Sequence, residues 1–123
     1  MIDRHAAESL ADLLGALGHP DRLRLLLALR EGEHDVATLA RQASLSQPRT
    51  SQHLALLRAH HLVAAKKQGR RSMYSLMQPE LLPWLAQAAS FLEADAQRSA
   101  GLAERLTEAL MAVRPPDLDG VSG

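Results

Sequence analysis

Leucine positions in the first quarter of the chain predict two helices. Four leucines between residues 5 and 17 recur at the spacing of one helix face, namely Leu10, Leu13, Leu14 and Leu17. They favour a helix over His5–Leu17, which the Gly18-His19-Pro20 sequence should end. We expect Asp21 to cap a second helix over Arg22–Arg30, whose leucines lie on two sides and place it in the middle of the core.

Two further helices are predicted on either side of a short turn. Asp35 is a suitable cap for a helix over Val36–Gln42, and Ser46 is a suitable cap for a helix from about Gln47 to His60. In the later helix, one side should face the core through Thr50, Leu54 and Leu57. The residues on or near its other side are Ser46, Gln47, Arg49, Ser51 and Gln52.

After His61 the pattern changes to two short extended runs. Residues 62–67 and 72–76 flank a glycine-containing turn and predict a β-hairpin, the only strand signal in the chain. Helical spacing returns over Pro79–Gln97 and again over Leu102–Val113. The expected fold class is mainly α with a two-stranded β-hairpin, in one domain over residues 1–113 with a disordered tail over 114–123.

Composition points to a small core and to a second subunit. Only 2% of the 123 residues are aromatic, so leucine and alanine must build most of the core. A chain of this length buries about 60–70% of its unfolded surface, and a partner would add burial. We therefore expect a homodimer through the first and last long helices. The expected interface residues are Leu10, Leu13, Leu14, Leu17, Leu82, Leu85, Ala89 and Leu92.

Charge is distributed unevenly although the formal net charge is zero. The span from Val36 to Pro79 contains no Asp or Glu, and all fourteen acidic residues lie outside it. Such asymmetry indicates one segment that faces a polyanion. The basic residues of the span are Arg41, Arg49, Arg58, Lys66, Lys67, Arg70 and Arg71.

This acid-free span coincides with two short helices and a hairpin, an order that predicts a winged helix-turn-helix. Polar and arginine side chains at the start of the second helix suit base edges in the major groove of DNA, and we predict this role for Ser46, Gln47, Arg49, Ser51 and Gln52. The hairpin would be a wing whose Lys66, Lys67, Arg70 and Arg71 contact phosphates. Taken singly, such residues are also common as helix caps and solvated surface groups; their combination in one segment favours DNA.

Three segments resemble the ArsR/SmtB family of bacterial winged-helix repressors. Residues 17–26, LGHPDRLRLL, are similar to the family's LADPTRLRIL, and residues 45–58, LSQPRTSQHLALLR, to its LSQSTVSHHLKVLR. Residues 62–76, with Gly69-Arg70-Arg71 and Tyr74-Ser75-Leu76, are similar to its GLVRSRREGRWVYYRL wing. The resemblance covers roughly residues 7–95 and implies a homodimer that binds an imperfect inverted repeat as a repressor.

The metal sites of that family are not matched here. Its third-helix motif ELCVCDLA corresponds to residues 33–40, where Asp35 and Ala37 replace the cysteines. The positions that match the family's zinc site on the last helix hold Gln78, Glu80, Phe91 and Ala94, of which only Glu80 could ligate a metal. We therefore predict no inherited metal site and no cofactor. The six histidines are expected to be structural or solvated, with a metal site assembled across the dimer left open.

Other function classes have less support. The chain has no cysteine and none of the GxGxxG, GxxxxGK[ST], HExxH or GxSxG motifs, so no enzyme is expected. No signal peptide or membrane span is expected, which favours the cytoplasm. A winged-helix module that docks a protein without specific DNA binding is the alternative. Control by a small molecule bound at the dimer interface, or by protein concentration alone, stays open.

Overall fold

A computed structural model describes residues 1–94 and 101–111 of the chain. Its contacts divide the chain into two compact units, Met1–Met77 and the segment from Gln78 onward. The elements of the first unit, in chain order, are α1 (Arg4–Leu17), α2 (Pro20–Ala28), β1 (His34–Asp35), α3 (Val36–Ala43), α4 (Gln47–Ala59), β2 (Val63–Gln68) and β3 (Arg71–Leu76). The second unit contains α5 (Leu81–Ala89), a 3₁₀ turn (Ser90–Ala94) and α6 (Leu102–Met111).

Side-chain caps begin all four helices of the first unit, α1 to α4. Asp3 accepts a hydrogen bond from the backbone N–H of Ala6 at 2.8 Å at the start of α1. The two predicted caps of α3 and α4 are confirmed, because Asp35 and Ser46 each accept a hydrogen bond from a backbone N–H three residues later. These local hydrogen bonds satisfy N–H groups that the helix itself leaves without a partner.

The predicted cap of α2 is wrong. The helix begins at Pro20, and His19 is its cap, with Nδ1 accepting a hydrogen bond from the backbone N–H of Asp21 at 3.1 Å. Proline is tolerated in the first position because its missing N–H would have no helical partner there. Asp21 therefore lies inside the first turn, and the helix ends at Ala28, two residues before the predicted end.

The sheet has three strands where the sequence predicts two. β1 pairs antiparallel with β3, with His34 opposite Tyr74 and Asp35 opposite Met73, so the strand order is β1-β3-β2. A strand of two residues has no periodicity to recognise, and pairing with a distant strand defines it. The predicted hairpin is confirmed, and its register from Val63–Leu76 to Gln68–Arg71 leaves Gly69 and Arg70 as the turn. Gly69 has a φ of 63°, which glycine adopts at little cost.

The core of the first unit lies between α2, α3, α4 and the start of β2. Its fully buried apolar side chains are Leu25, Leu26, Leu39, Leu54, Leu57 and Val63. Thr50 is also fully buried, and its hydroxyl donates a hydrogen bond to the backbone oxygen of Ser46 at 2.8 Å. The predicted core-facing side of α4 is thus confirmed, and burial of this side determines which residues the helix exposes.

The single helix predicted over Pro79–Gln97 is wrong in its extent. The α-helix covers only Leu81–Ala89 and tightens into the 3₁₀ turn at Ser90, whose hydroxyl donates to the backbone oxygen of Gln87 at 2.6 Å. Serine competes in this way for helix carbonyls and disturbs regular helices. Residues 95–97, the end of the predicted last helix and the predicted tail lie outside the described residues. In the described ranges, no helix has the length and apolar character that crossing a bilayer requires.

Candidate nucleic-acid interface

A short turn connects α3 and α4, the two helices of the predicted DNA-binding motif. Ser44 ends α3 in the left-handed conformation with a φ of 56°, and the backbone N–H of Leu45 donates to the Ala40 oxygen at 2.9 Å. This arrangement is a common helix C-terminus, and only three residues connect α3 to α4. Ser46 then accepts from the backbone N–H of Arg49 at 3.2 Å and starts α4.

All five residues predicted to read DNA bases are exposed on or just before the first turns of α4. The helix buries Thr50, Leu54 and Leu57 on its other side. The side-chain oxygen of Ser46 is used as a cap, which leaves its hydroxyl proton as its group for an outside acceptor. The exposed set comprises Ser46, Gln47, Arg49, Ser51 and Gln52.

The wing, which we define as β2, β3 and the turn Gly69–Arg70, exposes all four basic residues predicted to contact phosphates: Lys66, Lys67, Arg70 and Arg71. Two of these residues already have acidic partners within the chain. Lys66 Nζ lies 3.5 Å from Glu33 Oε2, and Arg71 Nη1 lies 3.4 Å from Asp35 Oδ2. Within residues 1–94 and 101–111, neither Lys67 nor Arg70 forms an ion pair.

Strand geometry explains this division. Side chains alternate between the two faces of a strand, so Lys66 and Gln68 share one face of β2 and Lys67 lies on the other. Glu33 meets that first face, because Gln68 Nε2 donates to Glu33 Oε1 at 3.2 Å while Lys66 approaches the other carboxylate oxygen. Lys67 lies at the exposed end of the other face, away from Glu33, and its side chain is open to an outside anion.

Glu33 and Asp35 lie beside the wing, a position that the sequence pattern does not predict. In the sequence they lie just before the acid-free span, which begins at Val36. Pairing of β1 with β3 returns them to the wing. The pKa of Asp35 is lowered, first by hydrogen bonds from Thr38 and then by the charge of Arg71. The wing thus carries fixed negative charge beside its basic residues.

His53 links α4 to the start of α2. Its side chain is 12% exposed, and its ring centroid lies 4.7 Å from that of His19. Arg22 Nη1 lies 3.4 Å from His53 Nδ1, and the same guanidinium donates to the backbone oxygens of Ala16 and Gly15 at 2.6 and 3.1 Å. Burial, followed by the charges of His19 and Arg22, lowers the pKa of His53 against the opposing effect of Asp21. His53 is therefore largely buried between the two helices.

The residues predicted for the dimer interface differ in exposure within one chain. On α1, Leu10 and Leu14 are 48% and 45% exposed, Leu13 is half-buried and Leu17 is buried. In the second unit, Leu82 and Ala89 are buried, Leu85 is half-buried and Leu92 is exposed. The two exposed leucines of α1 lie one helical turn apart and form an apolar strip on its surface.

A three-helix core with an exposed polar helix face and a basic hairpin defines a winged helix-turn-helix protein. The model of the family described as "Bacterial regulatory protein, arsR family" matches residues 19–65. The chain is 36% identical over 87 residues to the HTH-type transcriptional regulator NmtR of Mycobacterium tuberculosis, a match over 71% of this chain and 72% of that protein. The chain therefore belongs to the arsR family of bacterial regulatory proteins.

Other relatives extend this comparison. The chain is 39% identical over 70 residues to the biofilm growth-associated repressor of Xylella fastidiosa, and it spans 61% of the length of that relative and 57% of its own. The crystal structure of NolR from Sinorhizobium fredii has a TM-score of 0.66 at 31% identity, covering 74% of this chain and 94% of that chain. A homodimeric winged helix-turn-helix DNA-binding domain from Mycobacterium bovis has a TM-score of 0.64 at 27% identity, covering 80% and 92%.

Proposed function

We propose that this protein is a homodimeric transcriptional repressor that binds a double-stranded DNA operator in the cytoplasm, and that it is not an enzyme. The main supporting observation is that α4 has two different sides. One side buries Thr50, Leu54 and Leu57, and the other exposes five polar and basic residues on or just before the helix. A helix anchored in this way can enter a major groove without losing its core contacts. The repressor and DNA-binding names of the relatives support the same conclusion.

In this proposal, the start of α4 reads the base edges. Arg49 has the donor geometry for guanine O6 and N7, and Gln47 or Gln52 suits adenine N6 and N7. Arg49 is exposed at the third position of the helix, where it can extend beyond the cap. Ser46 and Ser51 contribute shorter contacts to bases or phosphates.

The wing contacts the DNA backbone, and its four basic residues differ in whether they are already paired with an acidic residue. Lys67 and Arg70 bind phosphates directly. Lys66 and Arg71 must first exchange Glu33 and Asp35 for phosphate. An exposed ion pair contributes only about 0–1 kcal/mol, so breaking it costs little free energy compared with the attraction of a polyanion.

Dimerisation uses the exposed strip of Leu10 and Leu14 together with the helix that begins at Leu81. Two copies of α4 then lie about 34 Å apart, in successive major grooves, and match an imperfect inverted repeat. The Mycobacterium bovis neighbour, which is homodimeric, supports this assembly.

Fluorescence anisotropy with a labelled duplex from upstream of the gene, compared with a scrambled duplex, tests the proposal. We expect tighter binding to the upstream duplex and a steep loss of affinity with salt, with a log–log slope of about −0.9 for each phosphate contact. Weak binding that is insensitive to both salt and sequence would overturn the proposal and favour a protein-docking module.

A further inference from the structure

Three side chains from two helices form a cluster of metal-ligating groups inside the first unit. His19 caps α2, Asp21 lies in its first turn, and His53 projects from α4. One ligand atom from each residue lies within 4.8 Å of the other two. We propose that His19, Asp21 and His53 bind a divalent transition-metal ion of the Zn²⁺ or Co²⁺ type within a single chain.

The donor set suits such an ion. Two imidazoles and one carboxylate are ligands that Zn²⁺ and neighbouring first-row ions accept, with water completing the coordination. The site is also separate from the two positions that the family resemblance indicates for metals, in residues 33–40 and in the segment from Gln78 onward. It therefore does not depend on the cysteines that this chain lacks.

An unsatisfied nitrogen points to the same place. His53 Nε2 is buried and, among the described residues, has no hydrogen-bond partner. Its nearest acidic atom, Asp21 Oδ2, lies 3.8 Å away, which is too long for a hydrogen bond. A buried polar atom in this state costs free energy that a metal bond would recover.

The required movement is small. Metal–ligand bonds of about 2.0–2.2 Å place neighbouring ligand atoms of a tetrahedral site about 3.3 Å apart. The His53–Asp21 separation is already within about 0.5 Å of that value, and the whole cluster closes with side-chain shifts of about 1–1.5 Å. Rotation of the two imidazole rings and of the Asp21 carboxylate about their side-chain bonds would supply shifts of this size.

Binding has two defined costs. Coordination through either ring nitrogen of His19 removes its cap hydrogen bond to the Asp21 N–H, since Nδ1 then lacks a lone pair or carries a proton. Coordination through His53 Nε2 likewise places a proton on Nδ1, which faces Arg22 Nη1 at 3.4 Å. We therefore expect weaker affinity than that of a closed structural zinc site. Bound metal would join the start of α2 to α4.

Cobalt absorption and zinc calorimetry on the full chain test this site without DNA. The wild type should bind one Co²⁺ per chain, with visible d–d absorption that Zn²⁺ displaces. His19→Asn should lose roughly tenfold or more in affinity while keeping a side chain that caps helices well. Asp21→Asn, which keeps the shape of the carboxylate, should show a similar loss.

His60→Asn is the matched control, because His60 ends α4 outside the cluster. It should bind Co²⁺ as the wild type does. Circular dichroism of each variant verifies that the fold is retained. Absence of Co²⁺ binding by the wild type would overturn the proposal. Unchanged binding in both His19→Asn and Asp21→Asn, or a loss confined to His60→Asn, would overturn it as well.

Discussion

The ammonium nitrogen of Lys66 lies 3.5 Å from a carboxylate oxygen of Glu33. One of the basic groups of the wing is therefore already paired with an acidic residue in the absence of DNA. The two side chains are 64% and 35% exposed, and the pair is accordingly weak. A phosphate that approaches Lys66 must also approach Glu33. We therefore expect Glu33 to limit DNA affinity.

Glu33→Gln should strengthen DNA binding. The substitution removes the negative charge and frees Lys66, and an exposed pair worth about 0.2–1 kcal/mol corresponds to a gain of up to about fivefold at low salt. Anisotropy titrations at several salt concentrations measure the gain, which should shrink as salt rises. Glu31→Gln is the matched control, because Glu31 is exposed and pairs with Arg30 outside the wing. Equal gains in both variants would contradict a specific effect of Glu33.

Lys67→Ala should weaken binding to all sequences by a similar factor. Lys67 makes no ion pair within the described chain, so we expect it to contribute one full phosphate contact. Its removal should reduce the magnitude of the slope of log affinity against log salt by about 0.9. Lys66→Ala should change this slope less, since Lys66 exchanges one anion for another. A larger change for Lys66 than for Lys67 would show that the Glu33 contact is broken in solution.

Arg49→Ala should cost roughly 1–3 kcal/mol of binding free energy and relax the choice of base at one operator position. The reason is loss of a bidentate contact with guanine. Competition titrations with single-base variants of the operator measure both effects. Arg24→Ala, which removes an exposed arginine from α2, should leave affinity and specificity unchanged. If Arg49→Ala preserved both, α4 would not lie in the groove as proposed.

Leu14→Glu should shift the protein toward monomers. Leu10 and Leu14 are 48% and 45% exposed in one chain, and a charge in their strip could not be buried against a partner without a large penalty. Sedimentation velocity measures the change. His5→Glu adds the same side chain nine residues earlier, on the opposite side of α1, and should leave the dimer intact. Dimers formed by Leu14→Glu at wild-type concentrations would place the interface elsewhere.

Asp35 should contribute to stability in a pH-dependent way. Its pKa lies below the ordinary value of 3.8, first because of hydrogen bonds from Thr38 and then because of Arg71 on β3. The folded state therefore favours the charged form, so the contribution is complete above pH 3.8 and is lost as the pH falls through the folded-state pKa. Urea unfolding of the wild type and Asp35→Asn from about pH 2 to about pH 6 measures it. The difference in unfolding free energy between the wild type and Asp35→Asn should become smaller as the pH falls below 3.8. A difference that grows there would contradict a lowered pKa for Asp35.

Local signals predicted much of the DNA-binding motif. The caps at Asp35 and Ser46 and the buried side of α4 follow from residues within a few positions of each other, where spacing and hydrogen-bonding type decide the outcome. The cap of α2 was missed because a histidine ring nitrogen, and not the adjacent aspartate, accepts the hydrogen bond. The end of α5 was missed because Ser90 disturbs a helix that apolar spacing would continue.

The sequence by itself determined the helices of the first unit, the hairpin, the basic span and the exposed face of α4, since each depends on periodicity or charge along a short stretch. Only the tertiary structure decided which basic residues are free. Pairing of His34 with Tyr74 and Asp35 with Met73 brings acidic residues to the wing from about forty positions away. The tertiary structure also brings His19, Asp21 and His53 together, because α2 packs against α4 and no local pattern relates these two segments.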